Sequence, residues 1–499
     1  MLLEEVLIRQ GVTSRSDVEE AHAQQGGQIN RQLAQLGLAT EEQVQDAEAF
    51  IPPVPGSIAD TGIPLTFLIN LLVKTMHVAG FELPTVLAEE LKLPVSMTVE
   101  LLDEARELKL IEVLGLTGNS LMSEMRHSLT DVGKRAANEA LDLSQYVGPC
   151  PVPLSAYSER VQRQSILNER LDQATLEKNT QHMILPDGYI EEVGPAVNSG
   201  RSILLYGPPG NGKTTIAEAV GAAMTGMVFV PHAIEVDGQV IKVFDPSIHH
   251  EIKREAVQPQ EPSLRLNGNA ASHEVIDERW VPCIRPTMIS GGELTLEMLD
   301  LQFNPYARFY EAPLQMKAMN GIFIVDDFGR QRVSPKEILN RWIVNLDRRV
   351  DYLALRTGKK FQIPFDELVV FSTNLRPEDL MDEAFLRRIA YKVEVPYPSE
   401  ENYRKIFELV TANADVPFPP DIIEYLKKNF YEPNNMPLSA HHPKFIIDRV
   451  VDRCHYRGEP ATFSEEGLDY ALGNLLAVTK TSWVQAATTE DTRQDVRPI

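Results

Sequence analysis

The chain has few cysteines and no long hydrophobic run, and both absences narrow the classes of protein it could be. Its 499 residues include three cysteines, Cys150, Cys283 and Cys454, which are far apart and follow no zinc-binding spacing. Scattered cysteines of this kind are typical of a reducing compartment, so we expect a cytoplasmic protein. The longest mainly apolar stretch, residues 63–73, is shorter than the roughly 20 residues needed to cross a bilayer. The start of the chain lacks a basic segment, so neither a secretory signal nor membrane insertion is expected.

Positive charge is also scarce. The chain has 48 lysines and arginines against 71 aspartates and glutamates, giving a formal net charge of −23. Residues 1–150 hold 10 basic and 22 acidic side chains, a balance of −12 and about half of the total. Such acidity argues against a nucleic-acid surface spread over the whole chain, although one local basic patch stays possible. The length predicts about three to four domains, and 43% hydrophobic residues are ordinary for a globular protein.

The most informative stretch is residues 207–215, Gly-Pro-Pro-Gly-Asn-Gly-Lys-Thr-Thr. It fits the phosphate-binding P-loop pattern, and it lies between an apolar predicted strand, 201–206, and a predicted helix, 216–224. Glycines let the backbone N–H groups face phosphate oxygens, and the helix start adds partial positive charge. We therefore predict that ATP is bound by Gly207, Pro208, Pro209, Gly210, Asn211, Gly212, Lys213, Thr214 and Thr215. Lys213 is expected to reach the β- and γ-phosphates, and the Thr214 hydroxyl to ligate Mg²⁺.

Two further apolar runs end in polar residues suited to ATP hydrolysis. Residues 321–325 precede Asp326 and Asp327, and parallel strands present their ligands at this carboxyl end. Asp326 is predicted to hold Mg²⁺. Asp327 occupies the place where a water-activating glutamate is common, and its side chain is one methylene shorter. Residues 368–373 precede Asn374, which could orient the attacking water.

A pair of arginines follows, Arg387 and Arg388, at the end of an apolar segment. Such a position suits a finger that reaches a neighbouring subunit's site and stabilises transition-state charge, by about 10³-fold or more. A surface ion pair is the alternative. The sequence does not decide which of the two arginines acts in trans.

This order of motifs, over residues 186 to about 480, resembles the AAA+ ATPases. The resemblance implies an α/β P-loop NTPase core over 186–396, a C-terminal helical lid over 397–480 and a ring oligomer, usually a hexamer. It assigns Asp326 and Asp327 to the acidic motif, Asn374 to the polar sensor, Arg387 or Arg388 to the finger, and Lys444 to the lid's nucleotide contact, where arginine is usual. Lysine would keep the charge but lose the two-pronged geometry.

Two extra segments resemble the MoxR-type and enhancer-activator branch. Residues 348–365 are predicted to form a hairpin just before the strand that ends at Asn374. Residues 225–320 are predicted to be an insertion, and Asp237-Gly238 within it is a strong hairpin signal. Gly291-Gly292 could lie in a mobile substrate-gripping loop, although a plain helix-entry turn is the favoured alternative.

The first 145 residues are predicted to form two small domains. Residues 1–51 contain a weak repeat with an offset of 26 residues, which resembles the helical domain at the start of type II secretion and pilus-assembly ATPases. Some of those proteins bind a cyclic dinucleotide through an arginine at the start of each repeat unit. In this chain the matching positions are residues 2–4 and 28–30, which contain no arginine, so protein docking is favoured. Residues 58–145 are predicted to be winged-helix-like, with helices at 65–78, 82–91 and 95–109 and wing strands at 111–114 and 126–129. The third helix is rich in carboxylates, so a protein contact is favoured over DNA binding, which stays open.

These features together predict an ATPase that hydrolyses ATP with Mg²⁺ as a homo-oligomeric ring and remodels a protein client. The proline-rich stretch from 146 is predicted to open a linker, 146–185, and residues 481–499 a flexible tail. An ATP-gated regulator or DNA-binding protein acting through residues 58–145 is the alternative. A secretion motor, suggested only by the first fifty residues, conflicts with the AAA+ motifs.

Overall fold

The computed structural model describes residues 2–18, 36–117, 123–252 and 276–476. The predicted places 28–30, the segment 118–122 between the predicted wing strands and the predicted tail 481–499 lie outside these ranges. In the first fifty residues the structure has helices α1 (Leu2–Arg9) and α2 (Glu41–Phe50). Thr40 begins α2 with a reciprocal capping box to Gln43. The apolar faces of both helices pack into a core shared with a sheet from the middle of the chain, described below, so they are not a separate body.

The elements predicted over 58–145 are present with nearly the predicted bounds. They are helices α3 (Leu65–Ala79), α4 (Pro84–Leu91) and α5 (Val95–Glu107) and the antiparallel strands β1 (Ile111–Leu116) and β2 (Met125–Leu129). A further helix that was not predicted, α6 (Asp131–Leu143), follows them. Prolines at Pro84 and next to the start of α5 favour helix initiation, and Gly80 ends α3 in the left-handed region. One apolar core joins these elements.

Residues 146–185 are not a linker, and that prediction was wrong. They form strand β3 (Val152–Pro153) and helices α7 (Leu154–Arg163) and α8 (Gln173–Thr180). The prolines suggested an exposed connection, but Val152, Tyr157 and Val161 are buried, and β3 pairs with a strand from the middle of the chain. Long-range packing therefore overrides the local composition.

The centre of the molecule is a five-stranded parallel sheet. Its order is β16-β4-β15-β12-β9. The strands are β4 (Ile203–Tyr206), β9 (Thr287–Ser290), β12 (Ile322–Val325), β15 (Leu368–Thr373) and β16 (Tyr391–Glu394). Alternate side chains of a strand point to opposite faces of the sheet. Ile203 therefore packs with helices α8, α9 (Tyr189–Asn198) and α10 (Lys213–Ala223), and Leu204 packs on the other face, on the side of α12 (Pro335–Arg348). Helices on both faces bury the sheet, which explains its continuous apolar runs.

The predicted insertion 225–320 is divided by strand β9, which belongs to the central sheet. The remainder builds a second sheet of order β10-β11-β7-β6-β3 and a ribbon of β5 with β8. These strands are β5 (Met227–Pro231), β6 (Ala233–Val236), β7 (Gln239–Lys242), β8 (Trp280–Ile284), β10 (Gln302–Asn304) and β11 (Phe309–Glu311), followed by helix α11 (Leu314–Lys317). The predicted Asp237-Gly238 hairpin is confirmed, since both residues have positive φ and β6 pairs antiparallel with β7. Periodicity alone could not show that a four-residue strand inside this segment joins the other sheet.

The second predicted hairpin is also confirmed, as β13 (Val350–Ala354) paired with β14 (Lys360–Pro364). Two short helices, α13 (Pro377–Leu380) and α14 (Glu383–Leu386), precede β16. The C-terminal helical region, residues 399–476, has its own core and contains α15 (Glu400–Asn413), α16 (Ile422–Leu426), a π-helical turn (Lys427–Tyr431), α17 (His442–Arg457) and a helical stretch over 465–476. Within the described ranges, no single helix has both the length and the apolar character to cross a membrane; α3 and α4, bent by 110°, pass that test only as a pair.

Candidate nucleotide site

The P-loop residues form a cradle at the carboxyl end of β4. Gly207 has φ 142°, and a Cβ there would lie 2.3 Å from the backbone oxygen of Val395, so only glycine fits beside β16. Gly210 and Gly212 also have positive φ, which side-chain-bearing residues seldom adopt. Pro209 and Thr215 are exposed on the rim. The tight turn thus leads directly into α10, whose first residue is Lys213.

Lys213 connects this loop to the polar end of β15. Its Nζ donates to the backbone oxygens of Gly207 and Pro208, at 2.9 Å each, and to Asn374 Oδ1 at 2.7 Å. Burial lowers the pKa of Lys213 from its ordinary value, and the nearby carboxylates of Asp326 and Asp327 act in the opposite direction. The ammonium group is therefore held in place by short contacts, at the position where the sequence predicts the phosphates.

Thr214 and Asp326 meet beside it. The Thr214 hydroxyl lies 2.9 Å from each carboxylate oxygen of Asp326. Gln331 Nε2 donates to the backbone oxygen of Asp326 at 2.8 Å and so holds the end of β12. A hydroxyl and a carboxylate are the hard oxygen donors that Mg²⁺ prefers, so this pair fits the predicted metal.

Asp327 and Asn374 are also brought together. Asn374 Nδ2 donates to Asp327 Oδ1 at 3.2 Å. Since the lysine must donate, the Asn374 amide is oriented with Oδ1 towards Lys213 and Nδ2 towards Asp327. Asp327 has φ 48°, a left-handed conformation that aspartate tolerates better than longer side chains, which gives a local reason for aspartate at this position.

The two predicted finger arginines differ in environment. Arg388 Nε lies 3.3 Å from Asp347, and its guanidinium lies over the ring of Phe385. Arg387 is exposed. Both lie at the end of α14, immediately before the edge strand β16 of the central sheet.

Lys444 is not brought to the P-loop by any contact that the structure describes. Its Nζ forms an exposed ion pair with Asp448, one turn further along α17, at 2.7 Å. The side chain at the loop is instead that of His441: a Cβ on Gly210 would lie 2.2 Å from His441 Nδ1. Lys444 was expected at the loop because it keeps the positive charge of the usual arginine. The residue that contacts the loop, His441, lies three positions earlier.

An apolar cleft beside the loop was missed by the sequence reasoning. Its enclosed space is small, about 10 Å³, and it is lined by Leu176, Thr180, Leu185, Tyr189, Ile190, Val193, Ile216 and Val220. Ile216 is one turn from Lys213 on α10. The hydroxyl of Tyr189 is buried and has no hydrogen-bond partner among the described residues. The lining comes from three successive helices, and the way they pack together is not visible in the periodicity of any one of them.

Comparison with protein-family models gives two matches. Residues 203–260 match the family described as ATPase family associated with various cellular activities (AAA). The chain contains an AAA-type P-loop NTPase fold. Residues 399–474, nearly the whole C-terminal helical region, match a domain of unknown function, DUF8689. No curated protein matches the chain.

The solved structures that resemble this chain do so only distantly. NtrX from Brucella abortus in complex with ADP is 12% identical, with a TM-score of 0.34, and the match covers 69% of this chain and 60% of that one. A second structure of NtrX from Brucella abortus is 15% identical, with a TM-score of 0.34 and coverage of 69% and 61%. The match thus spans about three fifths of the length of NtrX.

Proposed function

We propose that this protein hydrolyses ATP with Mg²⁺ and uses the cycle to remodel a protein partner. The observation that carries the proposal is the continuous set of contacts from the P-loop to the two acidic and polar strand ends, Lys213 to Asn374 to Asp327 and Thr214 to Asp326. These are the groups that phosphoryl transfer requires: a cation at the phosphates, oxygen donors for the metal and a polar pair for water.

Each side chain has a distinct task in this proposal. Lys213 and the loop amides bind the β- and γ-phosphates, while Thr214 and Asp326 would hold Mg²⁺, which neutralises phosphate charge when bound. Asp327 accepts the proton of the attacking water, and Asn374 orients that water. Because aspartate is shorter than glutamate, we expect a slow basal rate.

The apolar cleft offers a contact surface for one face of a nucleotide base. Its lining is aliphatic and aromatic, and its enclosed space of about 10 Å³ is too small to bury the base. The P-loop would hold the phosphates one helical turn away from Ile216.

A ring oligomer, a hexamer by the family resemblance, would place an arginine in the neighbouring subunit's site. Arg387 is the better candidate for that role, because it is exposed whereas Arg388 is engaged with Asp347 and Phe385 within its own subunit. The C-terminal helical region would act as the lid. The protein would act in the cytoplasm.

The first 145 residues would select the client. The arrangement of α3, α4, α5 and the β1–β2 pair supports a winged-helix-like unit. Glu100, Asp103 and Glu107 are exposed on α5, so a phosphate backbone would be repelled there and a protein partner is favoured. The same arrangement supports the second candidate, an ATP-gated regulator that binds DNA; duplex binding by the full chain that weakens with salt would favour it.

The test is ATPase activity measured against protein concentration. We expect the rate per subunit to rise with concentration as shared sites form, and Lys213→Ala to abolish nucleotide binding or turnover. Arg387→Ala should bind ATP but hydrolyse it at least 100-fold more slowly, since a finger contributes about 10³-fold or more. Arg388→Ala is the matched comparison, expected to alter stability more than turnover. A rate per subunit that stays constant when the protein is diluted to monomers would refute the shared site. The absence of ATPase activity under any condition would refute the proposal that the protein is an ATPase.

A further inference from the structure

Helix α5 has an exposed face that combines apolar and acidic side chains. Val95 and Val99 are 46% and 42% exposed on this face, although one side of the same helix is in the core. The carboxylates of Glu100, Asp103 and Glu107 are exposed beside them. At 3.6 residues per turn, the five side chains lie within about 140° of the helix circumference. Two apolar groups and three carboxylates therefore face solvent together.

The β1–β2 pair continues this face of α5. His127 on β2 lies opposite Val113 on β1. Burial lowers the pKa of His127, and the charge of Asp103 acts in the opposite direction, so α5 lies beside this face of the strands. Side chains two residues apart share a face, so Met125 follows His127, and its cross-strand partner is Leu116. Leu116 and Met125 extend beyond the core and are 58% and 49% exposed.

The exposed face of α5 and the adjoining strand residues form one surface, which we call the α5–wing surface. Its apolar members are Val95, Val99, Val113, Leu116 and Met125. Each of the five is at least 39% exposed, so the described part of the chain leaves them uncovered. Single exposed apolar side chains are ordinary, whereas a group of them on adjoining elements is typical of an interaction site.

The charge of α5 decides which kind of partner fits this surface. The helix carries four carboxylates and one guanidinium, a balance of 1 − 4 = −3. The guanidinium, that of Arg106, pairs with Asp103 at 2.9 Å. Including Lys109, just beyond the helix, leaves −2. Nucleic acid and anionic membranes would be repelled, and a second copy presenting the same surface would bring like charges together. The complementary partner is both apolar and basic.

We propose that the α5–wing surface binds a basic amphipathic helix of a protein partner. Apolar side chains of that helix pack on the valines of α5 and on the Leu116–Met125 pair, while its lysines or arginines pair with the carboxylates. A helix suits the surface because its side chains recur about every 6 Å along one face, as the groups on α5 do. The apolar contacts supply most of the affinity, and the charges select the partner. The inference rests on the proposed role of the first 145 residues in selecting the client, and gives the chemical class of the client segment.

The test uses the full-length protein without nucleotide and a fluorescent synthetic peptide as the probe. The peptide has about 18 residues, five helical turns, of leucine and lysine, with the leucines along one face. A second peptide has glutamate in place of every lysine. Anisotropy is measured at about 0.15 M salt, where charge attraction is screened beyond about 8 Å. We expect saturable binding of the lysine peptide and no binding of the glutamate peptide.

Two variants separate the acidic and apolar parts of the surface. The triple substitution Glu100→Gln, Asp103→Asn and Glu107→Gln should weaken binding by about 10-fold, the loss of three exposed ion pairs of ordinary strength. Leu116→Ser with Met125→Ser should weaken it by about 10-fold or more, because two apolar side chains no longer pack on the peptide. All five positions are exposed, so both variants should fold, and circular dichroism checks this. The second variant serves if the first does not fold.

The matched control removes the same charge from another helix. Glu41, Glu42 and Asp46 are exposed on α2, and that helix has no large exposed apolar side chain. The triple substitution Glu41→Gln, Glu42→Gln and Asp46→Asn should therefore change the affinity by less than about 2-fold, since it alters only the net charge of the chain.

Three results overturn the inference: no binding of the lysine peptide, equal binding of the glutamate peptide, or the same affinity in the α5 and α2 triple variants. ATP turnover of the same samples separates this inference from the proposed enzyme activity. Peptide binding that depends on the α5 carboxylates, in a protein without ATP turnover, would support the surface and refute the ATPase. Turnover with an affinity that none of the variants changes would refute the surface alone.

Discussion

The substitution Lys74→Met is expected to stabilise the region 58–145, because this lysine is buried inside it. Lys74 lies on α3, is 5% exposed, and has one described partner, the backbone oxygen of Ser144 at 3.0 Å. Burial lowers its pKa from 10.5 to about 8. At 1.36 kcal/mol for each pH unit, keeping the ammonium charged below pH 8 costs about 3 kcal/mol of folding free energy. Methionine avoids this cost but loses a hydrogen bond worth about 1 kcal/mol, which leaves a net gain of about 2 kcal/mol at pH 7.

The effect of Lys74→Met on stability should depend on pH in a defined direction. Between pH 8 and 10.5 the unfolded chain binds a proton at Lys74 that the folded chain has released, so the stability of the unsubstituted protein rises with pH. The advantage of Lys74→Met should therefore shrink from pH 8 upwards and disappear by about pH 10. Because both proteins share every other titrating group, the difference between them isolates this one side chain.

The assay is hydrogen exchange of amides in α3, measured in a denaturant series at pH values from 7 to 10. Lys134→Met, at an exposed position on α6, is the control and should give a difference close to zero at every pH. A Lys74→Met difference that is independent of pH, or a loss of stability at pH 7, would show that the ammonium is solvated and that the reasoning is wrong.

Three other substitutions test the packing at two P-loop glycines and the buried carboxyl group before β15. Gly207→Ala should disrupt the pairing of β16 with β4 and abolish nucleotide binding, because its Cβ would lie 2.3 Å from the backbone oxygen of Val395. In Gly212→Ala the added Cβ has no atom within 4 Å, so this variant should lose only about 1 kcal/mol of stability. Thermal unfolding and calorimetry with ADP compare the two variants. Glu367→Gln should stabilise the protein at neutral pH, because burial raises the pKa of Glu367 well above 4.5 and neither carboxylate oxygen has a described partner. The folded chain keeps this proton while the unfolded chain loses it, so the unsubstituted protein should lose stability relative to the variant as pH rises above 4.5. A stability difference between the two proteins that stays constant from pH 4 to 8 would contradict this.

Features set by neighbouring residues could be predicted from the sequence. The P-loop, the strand before it and the helix after it form from consecutive residues, so glycine spacing and apolar runs were enough to locate them. The acidic residues Asp326 and Asp327 and the amide of Asn374 followed from the same reasoning, since parallel strands end at one edge. The Asp237-Gly238 turn was predictable because few residues tolerate positive φ.

Features that need distant residues could not be predicted. Strand β9 is four residues long, and its place at the edge of the central sheet depends on pairing with β12, so the sequence suggested one continuous insertion instead. The prolines after residue 146 indicated a linker, whereas burial of Tyr157 against other parts of the chain made a helix. Lys444 carried the expected charge, but the direction of α17 places His441 at the loop.

The sequence by itself determined the loop where we propose that phosphate binds, because a glycine turn, a lysine and a helix start lie within nine residues and form without any other part of the chain. Only the tertiary structure decided what surrounds that site: the apolar cleft, the hydrogen bonds that Asn211 accepts from the loop before α17, and the difference between Arg387 and Arg388. Those properties depend on burial and on contacts between separate elements, of which the contact from Ser439 to Asn211 spans 228 residues, and no pattern of neighbouring residues encodes them.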